Sequence, residues 1–413
     1  MVGGGIFAVL GLAVQLAHGG TSVAFFAAGL VALVTSYSYA KLSIAYPSQG
    51  GTVEFLNQAY GTGVITGALN ILLWLSYVVM LSLYAYAFGS YGATFFSEAS
   101  HLLWKHLLIS GIIVLMTAVN VFGAKVVGES EEWIVGFKIT ILLLFVGVGL
   151  WSVNSQQLQI STWTPPLELV AGGMIIFLAY EGFELIANTA GEVTNPQKTL
   201  HRAYYSAVGF VIILYILVSM VTVGNLPVAK IVGAKDYALA MAAKPFLGSA
   251  GFVLIAIAAL LSTASAINAT LYGASRVSYV IAKEGELPKR LDKNIWNRPI
   301  EGLFITAGLT LLVANLFDLS SISMMGSAGF LLIFAAVNGA NIHLHQKTGG
   351  KRWISTLGVV MCLLALIALV WQTVQHKPMN LIVLGIMVAV AVVIEVIYRA
   401  ISGRSIQPTL KGV

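Results

Sequence analysis

Charged side chains and cysteine are both scarce in this sequence of 413 residues. Only 9% of the residues are Asp, Glu, Lys or Arg, against about 25% in a typical soluble domain. By contrast, 58% are hydrophobic and the mean hydropathy is +0.89. Such a chain has too little polar surface to fold in water, which excludes a soluble enzyme and a disordered chain. The single cysteine, Cys362, excludes a scaffold held by internal disulfides.

Long apolar runs fill most of the chain, and a helix needs about 20 apolar residues to cross a bilayer. Turn-forming residues such as Pro47, Pro165 and Pro378 separate the runs. The sequence therefore predicts an all-α integral membrane protein with twelve transmembrane segments. These segments lie at 1–17, 21–43, 64–91, 104–121, 133–153, 169–190, 204–224, 250–281, 302–317, 321–342, 354–374 and 380–398.

The basic residues predict how the segments are oriented in a cell membrane. If the loops after even-numbered segments are cytoplasmic, that side holds sixteen of the 22 lysines and arginines and the other side holds five. This bias agrees with the positive-inside rule and places the C-terminus in the cytoplasm. The net charge of +6 then reflects topology, and no nucleic-acid partner is expected. Two linkers are long enough to fold locally, 282–301 inside and 225–249 outside, where a short helix is predicted from Val228 to Lys244.

The first segment begins with three consecutive glycines, Gly3, Gly4 and Gly5, followed by Ile6 and Phe7. Glycine costs a helix interior about 1 kcal/mol relative to alanine, so the segment is predicted to begin with non-helical backbone. Glycine amides and the positive end of the helix that follows can bind an anion. The alternative, close packing of the glycines against neighbouring helices, is equally open at this point.

The sixth segment contains two glutamates and a glycine, Glu181, Gly182 and Glu184, in an apolar run. A charge at the centre of a lone transmembrane helix costs about 2.5–3.5 kcal/mol. The spacing places both glutamates on one face if the segment is helical. A second interruption is therefore predicted here. The alternative, that one glutamate marks the wet end of the segment, suits Glu184 better than Glu181.

The two interruptions are five segments apart, which is typical of transporters built from two inverted five-helix repeats. In such proteins the substrate lies at the midplane between the breaks, where amides hold a carboxylate and unwound carbonyls hold an ammonium. The substrate is therefore predicted to be an amino acid, and its side chain is expected to lie against aromatic residues of the sixth segment. The predicted substrate-binding residues are Gly3, Gly4, Gly5, Ile6, Phe177, Leu178, Ala179, Tyr180, Glu181 and Gly182.

The start of the chain, 3–7, resembles the G-x-G-I-F signature of the amino acid–polyamine–organocation (APC) permeases. Residues 177–184 and 191–196 are similar to that family's sixth-helix motif and its E-x-x-N-P turn, and 262–268 and 284–288 match its eighth helix and exit. The resemblance covers nearly the whole chain. It is closest to the proton-coupled, broad-specificity amino acid permeases of archaea and bacteria.

This resemblance implies the LeuT-like fold of five plus five inverted helices with two extra helices. A single transporter domain, 1–413, would then consist of repeat one (1–153), repeat two (169–342) and the extra helices (354–398). Members of the family carry half a helix before the glycine signature. The first segment is therefore expected to lack its cytoplasmic half.

One lysine, Lys138, lies inside the fifth segment. Its long side chain can extend to the cytoplasmic interface, or it can be a buried amine facing the bundle. Burial favours the neutral amine, so a buried lysine can take up and release a proton near neutral pH. In the similar proton-coupled permeases, a lysine of the fifth helix occupies the place of a sodium ion, against helices one and eight. The resemblance therefore implies that Lys138 is the proton-coupling residue.

The eighth segment supplies hydroxyl groups that can accept from this lysine. Ser262 and Ser265 are three residues apart and share a helix face. We predict that both take part in proton coupling. The alternative is hydrogen bonding of each hydroxyl to the preceding turn of its own helix.

Other functions stay open on the sequence alone. A protein of the same fold can carry a polyamine or a metal ion, or couple to sodium instead of protons. An intramembrane enzyme is disfavoured because no histidine lies in the middle of a segment to serve as a base. A non-transporting scaffold or receptor is the third class. No cofactor and no bound metal are expected, since no pair of histidines lies at ligand spacing inside a segment.

Overall fold

The computed structural model describes residues 1–122, 124–283 and 300–402. Within these ranges the chain is almost entirely helical and contains one isolated β-bridge, between His18 and Trp163. The α-helices are α1 (Gly5–Ala17), α2 (Thr21–Ala45), α3 (Thr52–Tyr60), α4 (Val64–Ala93), α5 (His101–Phe122), α6 (Ala124–Gly149), α7 (Pro166–Ile175), α8 (Pro196–Asn225), α9 (Val228–Gly233), α10 (Ala238–Lys283), α11 (Ile300–Leu316), α12 (Leu319–His343), α13 (His345–Thr348), α14 (Arg352–His376) and α15 (Met379–Ser402).

Nine helices of the described ranges are long and apolar enough to cross a membrane. A tenth candidate is a bent pair that consists of α7 and a 3₁₀ helix, Phe177–Glu192, which we call the 3₁₀ segment. Two shorter apolar helices, α1 and α11, correspond to the first and ninth predicted segments. The structure thus confirms a polytopic helical membrane protein, and each predicted segment coincides with a helix or with the bent pair.

Two helices form the centre of the bundle. Most residues of α4 and α12 are buried against other helices, whereas most residues of α14 and α15 are exposed or partly exposed. The exposed side chains on the outer helices are large and apolar, such as Leu364, Ile367 and Ile386. An apolar exterior of this kind is stable only in lipid, because lipid replaces the water that would otherwise contact it.

The outer linker differs from the prediction of one helix from Val228 to Lys244. Helix α9 ends at Gly233, one 3₁₀ turn follows, and α10 begins at Ala238. The turn contains Asp236, whose carboxylate pairs with Lys105 of α5 at 2.9 Å. This long-range ion pair holds the turn against α5, which a local helix pattern does not reveal.

Helix α10 contains a sharp break that separates its short first part from the eighth predicted segment. The break is at Gly248, where φ is +63°. Residues with a side chain rarely adopt that conformation, so glycine is required there. Residues 284–299 of the predicted inner linker lie outside the described residues.

Candidate functional site

The glycines at the start of α1 pack closely against three neighbouring elements. Gly4 precedes the helix, and a Cβ atom built on it would lie 2.5 Å from Cδ1 of Tyr84 on α4. The same atom would lie 2.8 Å from the methyl group of Thr263 on α10. A Cβ on Gly5 would lie 2.8 Å from the backbone Cα of Ala179 in the 3₁₀ segment. Only glycine fits at these two positions, so the packing interpretation of the motif holds for both.

The start of α1 also presents backbone amides. Helix α1 begins at Gly5, and the amides of its first turn have no partners within the helix. The Gly4 carbonyl already accepts from the Ala8 amide at 2.9 Å, so the helix is regular immediately beyond its start. Gly5, the first residue of α1, lies against the 3₁₀ segment at Ala179.

The sixth predicted segment bends at Ile176, close to the interruption predicted around Glu181 and Gly182. There α7 meets the 3₁₀ segment at an angle of 42°. The residues at Glu181 and Gly182 belong to the 3₁₀ segment, which runs for sixteen residues. Such runs seldom exceed about four residues, and long ones often mark a functional hinge.

Two serines of α12 hold the backbone at this break. The carbonyl of Ile175 accepts hydrogen bonds from the hydroxyls of Ser323 (2.7 Å) and Ser327 (2.8 Å). The amide of Leu178 donates to the Ser327 hydroxyl at 2.9 Å. Backbone groups that an unbroken helix would pair are thus satisfied by α12. Sequence reasoning missed both serines, although their spacing of four residues in an apolar helix was a detectable signal.

The predicted substrate-binding residues of the sixth segment all lie in the 3₁₀ segment, but they face different surroundings. Ala179 contacts Gly5, whereas Gly182 lines a cavity described below. Tyr180 packs against Phe25 and Tyr215, with ring centroids 6.4 and 5.2 Å apart. Phe177 packs at 5.9 Å from Phe334 of α12, within a large aromatic cluster.

Glu181 is completely buried, and within the described ranges neither of its carboxylate oxygens has a hydrogen-bond partner. An isolated buried carboxyl group is costly, because nothing replaces the water that it loses. A group left in this state is more often retained for function than for stability.

Glu184 is also completely buried, so the interpretation of this residue as the wet end of the segment is wrong. Its carboxylate accepts hydrogen bonds from Tyr39 of α2 (3.2 Å), Thr52 of α3 (3.3 Å) and Tyr77 of α4. Asn188, one turn further along, donates to the Tyr77 hydroxyl at 3.3 Å. The glutamate therefore ties the 3₁₀ segment to three other helices.

Lys138 on α6 is buried, with 3% of its surface exposed, and lines a cavity of about 270 Å³. Gly3, Tyr84, Gly182 and Ser265 line the same cavity. The structure therefore joins the start of α1, the 3₁₀ segment, the fifth-segment lysine and α10 around one space. The side chain does not extend to the protein surface, which favours the buried-amine interpretation over extension to the interface.

The two predicted hydroxyls of α10 occupy different environments. Ser265 lines the cavity of Lys138, whereas Ser262 does not. Ser262 is fully buried, and its hydroxyl has no hydrogen-bond partner among the described residues. The intervening Thr263 bonds to the preceding turn through the Ala259 carbonyl at 2.7 Å. Helix self-bonding therefore applies to Thr263 and not to Ser262.

A bent helix pair that meets the glycine-rich start of α1 inside a bundle of apolar, membrane-length helices is typical of a membrane transport protein. The sequence from 1 to 393 matches the family model described as amino acid permease, so this chain belongs to the amino acid permeases of the APC family. The match covers both interruptions and the lysine cavity.

Similar proteins occur in archaea and bacteria. An uncharacterized protein of Methanocaldococcus jannaschii is 35% identical over 408 residues, which cover 98% of this chain and 93% of that protein. The inner membrane transport protein YbaT of Escherichia coli is 36% identical over 375 residues, covering 90% and 87%. The branched-chain amino acid permease BcaP of Lactococcus lactis is 26% identical over 372 residues, covering 82% and 77%.

Proposed function

We propose that this chain is a secondary active transporter that carries amino acids across the cytoplasmic membrane by alternating access, coupled to protons. The observation that carries the proposal is the direct contact between the start of α1 and the 3₁₀ segment, where Gly5 lies against Ala179. A substrate bound between two broken helices contacts both of them. Its binding can therefore control how the two helices are positioned relative to each other.

The proposed architecture is the LeuT-like inverted repeat. In this proposal, repeat one (1–153) begins with the glycine-rich start of α1 and repeat two (169–342) begins with the bent pair. The extra helices (354–398) lie at the edge of the bundle. Counting α1, α11 and the bent pair as spans gives the twelve segments of this topology. The excess of basic residues on one face supports a cytoplasmic C-terminus.

The substrate's carboxylate is proposed to bind the amides of Gly3, Gly4 and Gly5. Its ammonium is proposed to bind the carbonyls of Leu178, Ala179 and Glu181. The opposed polarities of the two sites support this orientation, because the start of α1 carries the positive end of a helix dipole and freed carbonyls carry the negative end. A zwitterion satisfies both with one molecule. The Leu178 amide already donates to the Ser327 hydroxyl. The carbonyls of Leu178, Ala179 and Glu181 are therefore the groups of this stretch that are proposed to bind the substrate.

Lys138 is proposed to carry the coupled proton. As a cation it can attract hydroxyl and carbonyl oxygens of α1 and α10 across the cavity, including those of Ser265, and stabilise their packing. Ser262 lies one turn away on the same helix and offers a second hydroxyl. As a neutral amine, Lys138 loses that attraction, so the helices can separate. A proton taken up outside and released inside would then drive substrate inward.

Uptake by proteoliposomes tests the proposal. Purified protein is reconstituted, and uptake of each of the twenty radiolabelled amino acids is measured with the inside alkaline, with a sodium gradient, or with no gradient. We expect uptake of at least one amino acid that requires the proton gradient. Uptake driven by sodium alone would contradict the proposed coupling, and no uptake of any amino acid would contradict the proposed substrate class.

Substitution of the lysine tests the coupling residue. Lys138→Ala should abolish the pH dependence of uptake between about pH 5 and 8, the range accessible to a buried amine. Lys138→Arg should arrest transport, because arginine stays charged. Lys347→Ala, on an exposed helix end, is the matched control and should behave like the parent protein. Normal pH dependence in a folded Lys138→Ala protein would exclude Lys138 as the proton carrier.

A further inference from the structure

A second cavity of about 420 Å³ lies on the face of the bundle that the basic residues assign to the outside. It is formed where α1 and α14 end and where α7, α12 and α15 begin. Its volume falls within the range of about 300–1,000 Å³ that is usual for small-molecule sites. It shares no lining residue with the cavity of Lys138.

Two side chains supply hydrogen-bond acceptors to this outer cavity. Gln372 of α14 lines it, is 2% exposed, and its side-chain oxygen has no partner among the described residues. Glu168, in the first turn of α7, supplies a carboxylate, and in the described part of the chain it forms no ion pair. A buried amide oxygen and a carboxylate in one cavity require a donor, and a cationic donor satisfies both.

The charges at the rim do not change this polarity. Lys377 lines the cavity, but its ammonium is paired with Asp318 at 2.8 Å. The carboxylates of Glu168 and Asp318 and the ammonium of Lys377 together carry a net charge of −1. The cavity therefore attracts cations.

The rest of the lining is apolar and leads towards the proposed substrate site. Leu12, Ile175, Leu319 and Met324 are buried side chains of the cavity. Ile175 is the last residue of α7, at the break of the sixth segment, and Leu12 lies about 10 Å along α1 from Gly5. An apolar group bound here would thus lie on the outer side of both interruptions.

We propose that the outer cavity is a primary-amine site, which binds the ammonium group of an apolar amino acid through Glu168 and Gln372 before the molecule reaches the interruptions. The amino acid as ligand rests on the proposed transport function. The amine specificity rests on the cavity itself and is tested without transport.

Chemical modification of one introduced cysteine measures the polarity of the cavity. Ser320→Cys places a thiol in the lining, and the parent protein reports the background because Cys362 is completely buried. Purified protein is treated with the cationic 2-aminoethyl or the anionic 2-sulfonatoethyl methanethiosulfonate. We expect the cation to react faster than the anion once both rates are divided by those for a free thiol in solution.

Two pairs of variants assign that preference to the proposed residues. Glu168→Gln and Gln372→Leu, each in the Ser320→Cys protein, should lower the ratio of cationic to anionic rates, by about threefold or more for the lost carboxylate. Glu98→Gln and Gln375→Leu remove the same chemistry at exposed positions and should leave the ratio unchanged. An unchanged ratio in Glu168→Gln would overturn the proposal.

Protection by small ligands tests the amine specificity. Leucine and isopentylamine, which retains leucine's ammonium without its carboxylate, should both slow modification in the Ser320→Cys protein. The anion 4-methylpentanoate, which retains the carboxylate alone, should not. Protection by 4-methylpentanoate and not by isopentylamine would overturn the proposal. Protection by isopentylamine together with no amino acid uptake would confirm the amine site and contradict only the transport function.

Discussion

Alanine at position 5 tests whether the contact between the two interruptions is the substrate site. Its Cβ would lie 2.8 Å from the Cα atom of Ala179 and 3.1 Å from the carbonyl oxygen of that residue. Both are backbone atoms, which cannot rotate away as a flexible side chain could. The substitution should therefore push α1 and the 3₁₀ segment apart where the substrate is proposed to bridge them.

The size of the effect follows from overpacking. An extra methyl group in a packed interior costs about 1–3 kcal/mol, and the better helix propensity of alanine returns at most about 1 kcal/mol. A net cost near 1.4 kcal/mol corresponds to about a tenfold change in an equilibrium constant. We expect Gly5→Ala to weaken amino acid binding by about that factor.

Scintillation proximity binding of the radiolabelled substrate measures the change on detergent-purified protein, with size-exclusion profiles to verify folding. Gly3→Ala is the matched control, since its Cβ would lie 3.4 Å from that of Ala266, an ordinary contact. Adding Ala179→Gly to Gly5→Ala should restore little affinity, because the clash with the Cα and the carbonyl oxygen persists. Equal affinity in Gly5→Ala and Gly3→Ala would refute the placement of the site.

Two further predictions concern a buried hydrogen bond between a tyrosine and a glutamate and the carboxylate that precedes α12. Tyr77→Phe removes one of the donors to buried Glu184 and should lower the free energy of unfolding by about 1–3 kcal/mol; a melting temperature equal to that of the parent would contradict it. Although partial burial raises the pKa of Asp318, hydrogen bonds led by that from Lys377 hold it below its ordinary value. The stabilisation by Asp318 is therefore present above the carboxyl's pKa in the unfolded chain, and it is lost as the pH falls through the lower pKa of the folded protein. Asp318→Asn should consequently lower the melting temperature at pH 7 and not at pH 3. An equal decrease at both pH values would exclude the ionised carboxylate as the cause.

The sequence by itself determined the class of the protein and the neighbourhood of its two interruptions. Three local properties of the sequence were enough for this: the length of the apolar segments, the consecutive glycines in 3–5 and the carboxylates in an apolar run. Each of them limits the structures that are stable inside a membrane. The lone Lys138 was identifiable for the same reason. In the sixth segment the sequence marked the right helix, and the structure showed that the bend lies at Ile176.

Only the tertiary structure decided which residues pair with the polar groups buried at these positions. The carbonyl of Ile175 at the break is capped by Ser323 and Ser327, about 150 residues further along the chain. Glu184 can be buried because α2, α3 and α4 each donate a hydrogen bond from a hydroxyl group to its carboxylate. Apolar residues cover both the lipid-facing and the protein-facing sides of these helices, so hydropathy does not distinguish the sides. The packing of helices that are distant in sequence determines which face of each helix is buried. It therefore also determines which residues line the two cavities.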